Sequence, residues 1–242
     1  MDNGQPHTTT TYSVVMQALQ GLPAITYLEA VPRTLQLGSV SIHVLPMPPY
    51  AGSNLNNSSV GLVIEYGEFR AFLSGDPERR ELQHFVQSGV VPDVTLLKAP
   101  HHGSDDAVSE GFLRVANPEL VVISVGRGNR YGHPKASAVY TYDRYAEQVL
   151  RTDVRGEITV SGYHDGRYQL ALGETVVAEG AERSIGSESI VVLPPSPVPE
   201  ERVPRPRSEQ PGTGPNVAIT VFADAPGNDH NNLNGEYAIL VR

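Results

Sequence analysis

Alternation of apolar and polar positions first appears at "SVSIHVLPM" (39–47), the pattern of a half-buried strand. "SVGLVIEYGEFRAFLSGD" (59–76) predicts two strands joined by a tight turn at Gly67-Glu68. "PERRELQHFVQSG" (77–89) starts on proline and stops on glycine, the punctuation of a helix. A short apolar run, "DVTLLKA" (93–99), reads as an interior strand, "SEGFLRVA" as a helix and "ELVVISVG" (119–126) as a second interior strand. "KASAVYTYDRYAEQVL" (135–150) has the period of an amphipathic helix, and "GEITVSGYHDGRYQLALG" (156–173) that of a hairpin turning at Asp165-Gly166.

Strands that give way to strand–helix alternation predict an α/β layered domain, assigned to residues 1–180. The character then changes. Residues 181–215 form a linker whose core, "LPPSPVPEERVPRPRSEQPGTGP" (193–215), is rich in Pro, Glu and Arg and has no apolar period. β alternation returns in 216–242 but covers only one or two strands, too few to bury a core.

Composition narrows the chemistry. The 242 residues include no cysteine, so any metal must be held by His, Asp or Glu. A net charge of −9 argues against sequence-independent coating of nucleic acid, although a bound metal can supply positive charge where a phosphate ester reacts. No apolar stretch is long enough to span a bilayer, so membrane insertion is not expected, and "MDNGQPHTTTT" has no signal-peptide pattern.

Three segments pair an apolar strand with a polar end: "FLSGD" (72–76), "LLKAPHHGSDD" (96–106) and "VVISVGRGNRYGHP" (121–134). Neighbouring strands in an α/β sheet would bring Asp76, His101, His102 and His133 to one cleft at their carboxyl ends. Asp and His are ligands that a divalent ion accepts without thiolate. Each residue also has a plainer reading. Asp76 suits the N-cap of the following helix, and His133 suits a surface turn. The adjacent pair at 101–102 is harder to explain that way, because an extended loop would point its rings in opposite directions. Lys98, one of two lysines, either contacts phosphate or caps its strand. His7, His43, His84, His164 and His230 stand in ordinary strand, helix, turn or loop settings and read as structural or solvated.

Together "NLNNSSVGLVIEYGEFRAFLSGD", "LLKAPHHGSDD", "NRYGHP" and "VLRTDVRGEITVS" resemble the metallo-β-lactamase-type domain of the ComEC DNA-uptake proteins, over roughly residues 1–170. The resemblance implies an αββα sandwich, two zinc or manganese ions in a complete member, and phosphodiesterase or nuclease activity on DNA. It implies Asp76 and His102 as metal ligands and His101 as the catalytic group facing the phosphate. His133, Lys98, Asn57 and Ser58 take substrate-binding positions under the same resemblance. In such sites metal lowers the pKa of water to about 7. The family's His-x-His-x-Asp-His motif is absent from these residues. In the family it precedes the segment that begins here at Met1, and the first strands go with it. The expectation is therefore a fragment of such a hydrolase, inactive as this chain alone. The alternative is a non-catalytic binding or surface-tethering module with a decayed metal site.

"VAITVFADAPGNDHNNLNGEYAILVR" resembles the start of a lamin-tail domain, an Ig-like β sandwich, truncated here within 216–242. That resemblance implies tethering to a surface or cell envelope and an extracellular or cell-surface setting. Asp224, Asp229 and Asn234 lack EF-hand spacing and read as turn residues rather than a calcium loop.

Overall fold

Leu62–Tyr66 (β3) and Phe69–Leu73 (β4) form the antiparallel hairpin that the alternation predicts, with Gly67 at φ 58° in the turn. The computed structural model describes residues 3–4, 8–24, 26, 28–49, 55–172, 175–179, 217–221 and 237–241. Arg33–Leu37 (β1) and Val40–Val44 (β2) extend the sheet antiparallel on one side of β3. On the other side of β4 lie Leu96–Lys98 (β5), Leu120–Ile123 (β6) and Gln148–Arg151 (β7), all parallel. The resulting seven-stranded sheet is mixed, in the order β1-β2-β3-β4-β5-β6-β7.

The parallel half needs crossovers, and helices supply them. Arg79–Gln87 (α2), Glu110–Ala116 (α3) and Ala136–Tyr145 (α4) cover one sheet face. Phe72 of β4 packs edge-on against Phe85 of α2 and Phe112 of α3, with ring centroids 5.9 and 5.2 Å apart. Ser109 caps α3 by accepting from the Phe112 amide, and Asn117 ends it in the left-handed conformation.

The opposite sheet face packs on a second, antiparallel sheet. Ile158–Gly162 (β8), Tyr168–Leu172 (β9), Thr175–Glu179 (β10), Val217–Val221 (β11) and Tyr237–Val241 (β12) run in the order β10-β9-β8-β11-β12. Ile64, Phe69 and Leu96 of the first sheet share a core with Ile158, Val160, Val217 and Ile219 of the second. Thus β11 pairs directly with β8 and contributes to the core between the sheets. The α/β class holds, as helices on one face of a mixed sheet with a second sheet on the other.

One predicted element needs correction. The helix expected over 135–150 ends at Tyr145, Ala146 turns to an extended backbone, and Gln148–Arg151 becomes the edge strand β7. Pairing with β6 and burial of Leu150 outweigh the helical period. A short helix at Thr10–Gln20 (α1), not foreseen from the pattern, has no buried residue, and a turn at Thr152–Arg155 (α5) leads into β8. The linker 181–215 lies outside the described residues, as do His7, His230, Asp224, Asp229 and Asn234.

Candidate metal centre

β4, β5 and β6 are parallel neighbours, so their carboxyl ends emerge side by side and deliver the three polar segments to one place. Gly75, at φ 70°, turns the chain out of β4, and its carbonyl accepts from the His101 amide at 3.2 Å. The Asp76 amide donates to the Ser59 hydroxyl at 3.1 Å. Asp76 is not a helix N-cap: Glu78 takes that position in α2.

The histidine pair is not extended. His101 (φ 45°), His102 (φ 54°) and Gly103 (φ 77°) are three consecutive left-handed residues, which for the two histidines costs on the order of 1 kcal/mol or more each. The turn is held by Ala99 N–H to the Val122 carbonyl and by Lys135 N–H to the Gly103 carbonyl, at 2.8 and 2.9 Å. Gly103 also sits tight against the loop from β6, where an added Cβ would lie 2.7 Å from the Cβ of Pro134.

His102 then acquires a defined tautomer. Its Nδ1 is 2.8 Å from the Ser124 carbonyl oxygen, which can only accept, so Nδ1 carries a proton and donates. Nε2 faces Asp76 Oδ1 at 3.4 Å. In the neutral ring Nε2 is a lone pair, so two acceptors confront each other. Asp76 Oδ1 is buried and makes no hydrogen bond. Such a pair is settled by a proton or by a cation. Donation of the far ring nitrogen to a backbone carbonyl is also how metal-binding imidazoles are oriented. The donor set therefore fits a divalent ion at Asp76 and His102. Burial pushes the Asp76 carboxyl up, but His102 and the charges of Lys98 and His101 outweigh it and hold the group well below the usual carboxylate range.

Around this pair the other predicted residues spread out. His101 turns its Nδ1 towards Asp106 Oδ1, at 3.5 Å. The His133 ring lies 5.7 Å from that of His101, centroid to centroid, and stacks on Tyr131 at 5.9 Å. Burial, and then the positive charges of His101, Lys135 and His102, lower the His133 pKa against an opposing effect of Asp106. Lys98 is fully buried at the end of β5 and acts on the site through its charge on Asp76. Asn57 and Ser58 are also buried; Asn57 Nδ2 donates to Glu78 Oε2 at 3.4 Å, and the Ser58 carbonyl accepts from Asn3.

Sequence reasoning passed over several residues that build the site. Ser59 holds the Asp76 amide, Ser124 orients His102, and Thr152 receives the Val125 amide at 2.7 Å where β6 ends. Asn129 pins the His133 loop, accepting from the His133 amide and donating to its carbonyl. Glu81 of α2 is completely buried, and its Oε2 accepts from the Ser59 amide at 3.3 Å. Of the remaining described histidines, His43 bridges Thr34 and Glu65, His164 packs edge-on to Tyr66, and the His84 ring lies beside Phe85 with centroids 6.3 Å apart.

No family model matches the chain. Among proteins of known sequence it is 35% identical over 126 residues to ComE operon protein 3 of Bacillus subtilis, covering 51% of this chain and 16% of that protein. It is 29% identical over 131 residues to Recombination protein 2 of Haemophilus influenzae, covering 54% of this chain and 16% of the relative. Competence protein ComA of Neisseria gonorrhoeae matches at 35% over 63 residues, covering 26% and 9%. The chain thus spans about a sixth of the length of the first two relatives. Among the described residues no helix is long and apolar enough to cross a membrane.

Proposed function

We propose that this chain carries part of a metal-dependent hydrolase of the ComEC-like metallo-β-lactamase type, a phosphodiesterase or nuclease acting on DNA in the course of DNA uptake. The observation that carries it is the confrontation of His102 Nε2 with Asp76 Oδ1 across 3.4 Å, with the opposite ring nitrogen committed to Ser124. Relatives named for competence and recombination support DNA as the substrate.

Asp76 and His102 would hold a zinc or manganese ion. When bound, such an ion supplies a Lewis acid for a phosphoryl oxygen and acidifies water. The chain's own residues do the rest. Ser59 and Ser124 fix the two ligands from behind, so little reorganisation is needed on binding. His102, and after it the charge of buried Lys98, favour the ionised form of Asp76 against its burial. His101 and His133 flank the side on which a phosphodiester would approach, with His133 at the rim. The net charge of −9 is compatible with a polyanion only if positive charge is supplied locally.

The test is DNA cleavage and metal content of the full-length protein, compared with Asp76→Asn and His102→Ala. Both variants should lose cleavage, and each should retain less zinc or manganese than the wild type. Undiminished turnover by His102→Ala would overturn the reading. A well-folded wild type that binds no metal would favour a non-catalytic binding or tethering module instead.

A further inference from the structure

A second group of ligands lies beside the first. Glu78, His101 and Asp106 each offer one donor atom, and the three atoms all lie within 4.8 Å of one another. No other set of three or more His, Asp or Glu comes this close among the described residues.

Three unrelated local features bring them together. Glu78 occupies the N-cap of α2 but makes no side-chain bond to the helix amides, and its Oε2 instead accepts from Asn57. His101 is fixed by its backbone, whose amide donates to Gly75 and whose carbonyl accepts from Ser104 at 2.9 Å. Asp106 rides on a 3₁₀ turn, Asp105–Ala107, that Arg79 ties to the start of α2 by donating to the carbonyls of Asp105 and Val108, both at 3.1 Å. Arg79 thus directs these donors to backbone oxygens beside the two carboxylates.

The buried His101 Nδ1 makes no hydrogen bond, although Asp106 Oδ1 is 3.5 Å away. A cation among the three would meet that nitrogen and an oxygen of each carboxylate. Two carboxylates and one imidazole form the oxygen-rich, mixed set that suits manganese or zinc. Three protein ligands leave positions open for water or a substrate oxygen.

We propose that Glu78, His101 and Asp106 form a divalent-cation site of their own, adjacent to the Asp76–His102 pair. Its ligands are other than Asp76 and His102, and it deepens the reading above by giving His101 an ion rather than the phosphodiester to face: the adjacent histidines serve two neighbouring ions, one each. A phosphodiester lying across both would meet positive charge on two sides.

The experiment is a titration of the purified, metal-stripped full chain with Mn²⁺, followed by electron paramagnetic resonance of the free ion. Wild type is compared with Glu78→Gln/Asp106→Asn, Asp106→Asn alone and His102→Ala, each checked for a cooperative thermal transition. In the double variant one class of site should weaken by at least the roughly 10- to 100-fold that loss of an outer partner alone produces. That class should persist in His102→Ala. Asp106 is 53% exposed, so Asp106→Asn tests the site with little risk to folding. Unchanged Mn²⁺ binding in both Asp106 variants would overturn the proposal, and so would the loss of all Mn²⁺ binding in His102→Ala. If His102→Ala changes nothing while the Asp106 variants weaken binding, this site stands and the Asp76–His102 reading fails.

Discussion

His102 donates from Nδ1 to the carbonyl oxygen of Ser124 at 2.8 Å, and this one bond decides which ring nitrogen faces Asp76. It separates what the imidazole does for the fold from what it does for a ligand. Asparagine can place an amide nitrogen near the position of Nδ1 but has nothing at Nε2. His102→Asn should therefore stay within about 1 kcal/mol of wild-type stability while losing metal. His102→Gln should leave the Ser124 carbonyl without this donor and lose stability. Denaturation midpoints and metal content of the two variants check both halves, and equal metal retention in His102→Asn would sink the assignment.

Gly103 tests the packing of the turn. An alanine there must hold φ 77° and push its Cβ to 2.7 Å from Pro134. The left-handed conformation costs about 1–2 kcal/mol and the overpacking about 1–3 more. Urea denaturation of Gly103→Ala should show a loss in the range of roughly 2–5 kcal/mol. A loss below about 0.5 kcal/mol would mean that the two loops separate easily.

Glu81 predicts a pH dependence that belongs to the fold. Burial pushes its carboxyl up from 4.5 to about 8, despite the opposing bond from the Ser59 amide. Between those values the folded state holds a proton that the unfolded chain has released. Its contribution is complete below about 4.5, falls as pH rises, and is lost above about 8. Glu81→Gln removes the titration but keeps the shape. It should match wild type near pH 5 and exceed it near pH 9 by roughly 2–5 kcal/mol. Parallel stability curves for the two proteins across that range would contradict this.

Thr152 closes the end of β6. Its hydroxyl accepts from the Val125 amide at 2.7 Å and donates back to a carbonyl of the same segment, with Val125 O at 2.9 Å. Thr152→Val keeps the volume and leaves a buried amide without this acceptor, which costs about 1–3 kcal/mol. Amide exchange should quicken from Val125 through the loop that carries His133. Unaltered exchange there would show that Asn129 alone holds the loop.

The site was partly legible because its ligands stand where strands end. "SGD", "PHHGS" and "YGHP" each mark an apolar run breaking into polar residues, and β4, β5 and β6 do lie side by side. The supports were not legible. Ser59 reaches Asp76 across 17 residues, Ser124 reaches His102 across 22, and Thr152 reaches Val125 across 27. A serine, a backbone carbonyl and a threonine carry no local pattern that announces such contacts. Glu81 was hidden for a related reason, since a charged residue early in a helix ordinarily faces water. The overlong helix at 135–150 failed differently, because Val149 and Leu150 fit a helical stripe as well as they fit the strand that pairs with β6.

By itself the sequence determined the elements and the chemistry available to them. Period-2 and period-3.6 patterns are local, turn glycines act on their own backbone, and a chain without cysteine offers a metal only oxygen and nitrogen donors. Only the tertiary structure decided which acceptor faces which. The left-handed turn at 101–103 sends one imidazole to Asp76 and its neighbour to Asp106, and the bond to Ser124 exposes Nε2 of the first. Those outcomes depend on backbone directions set by packing between strands and loops distant in the chain, which no local pattern encodes.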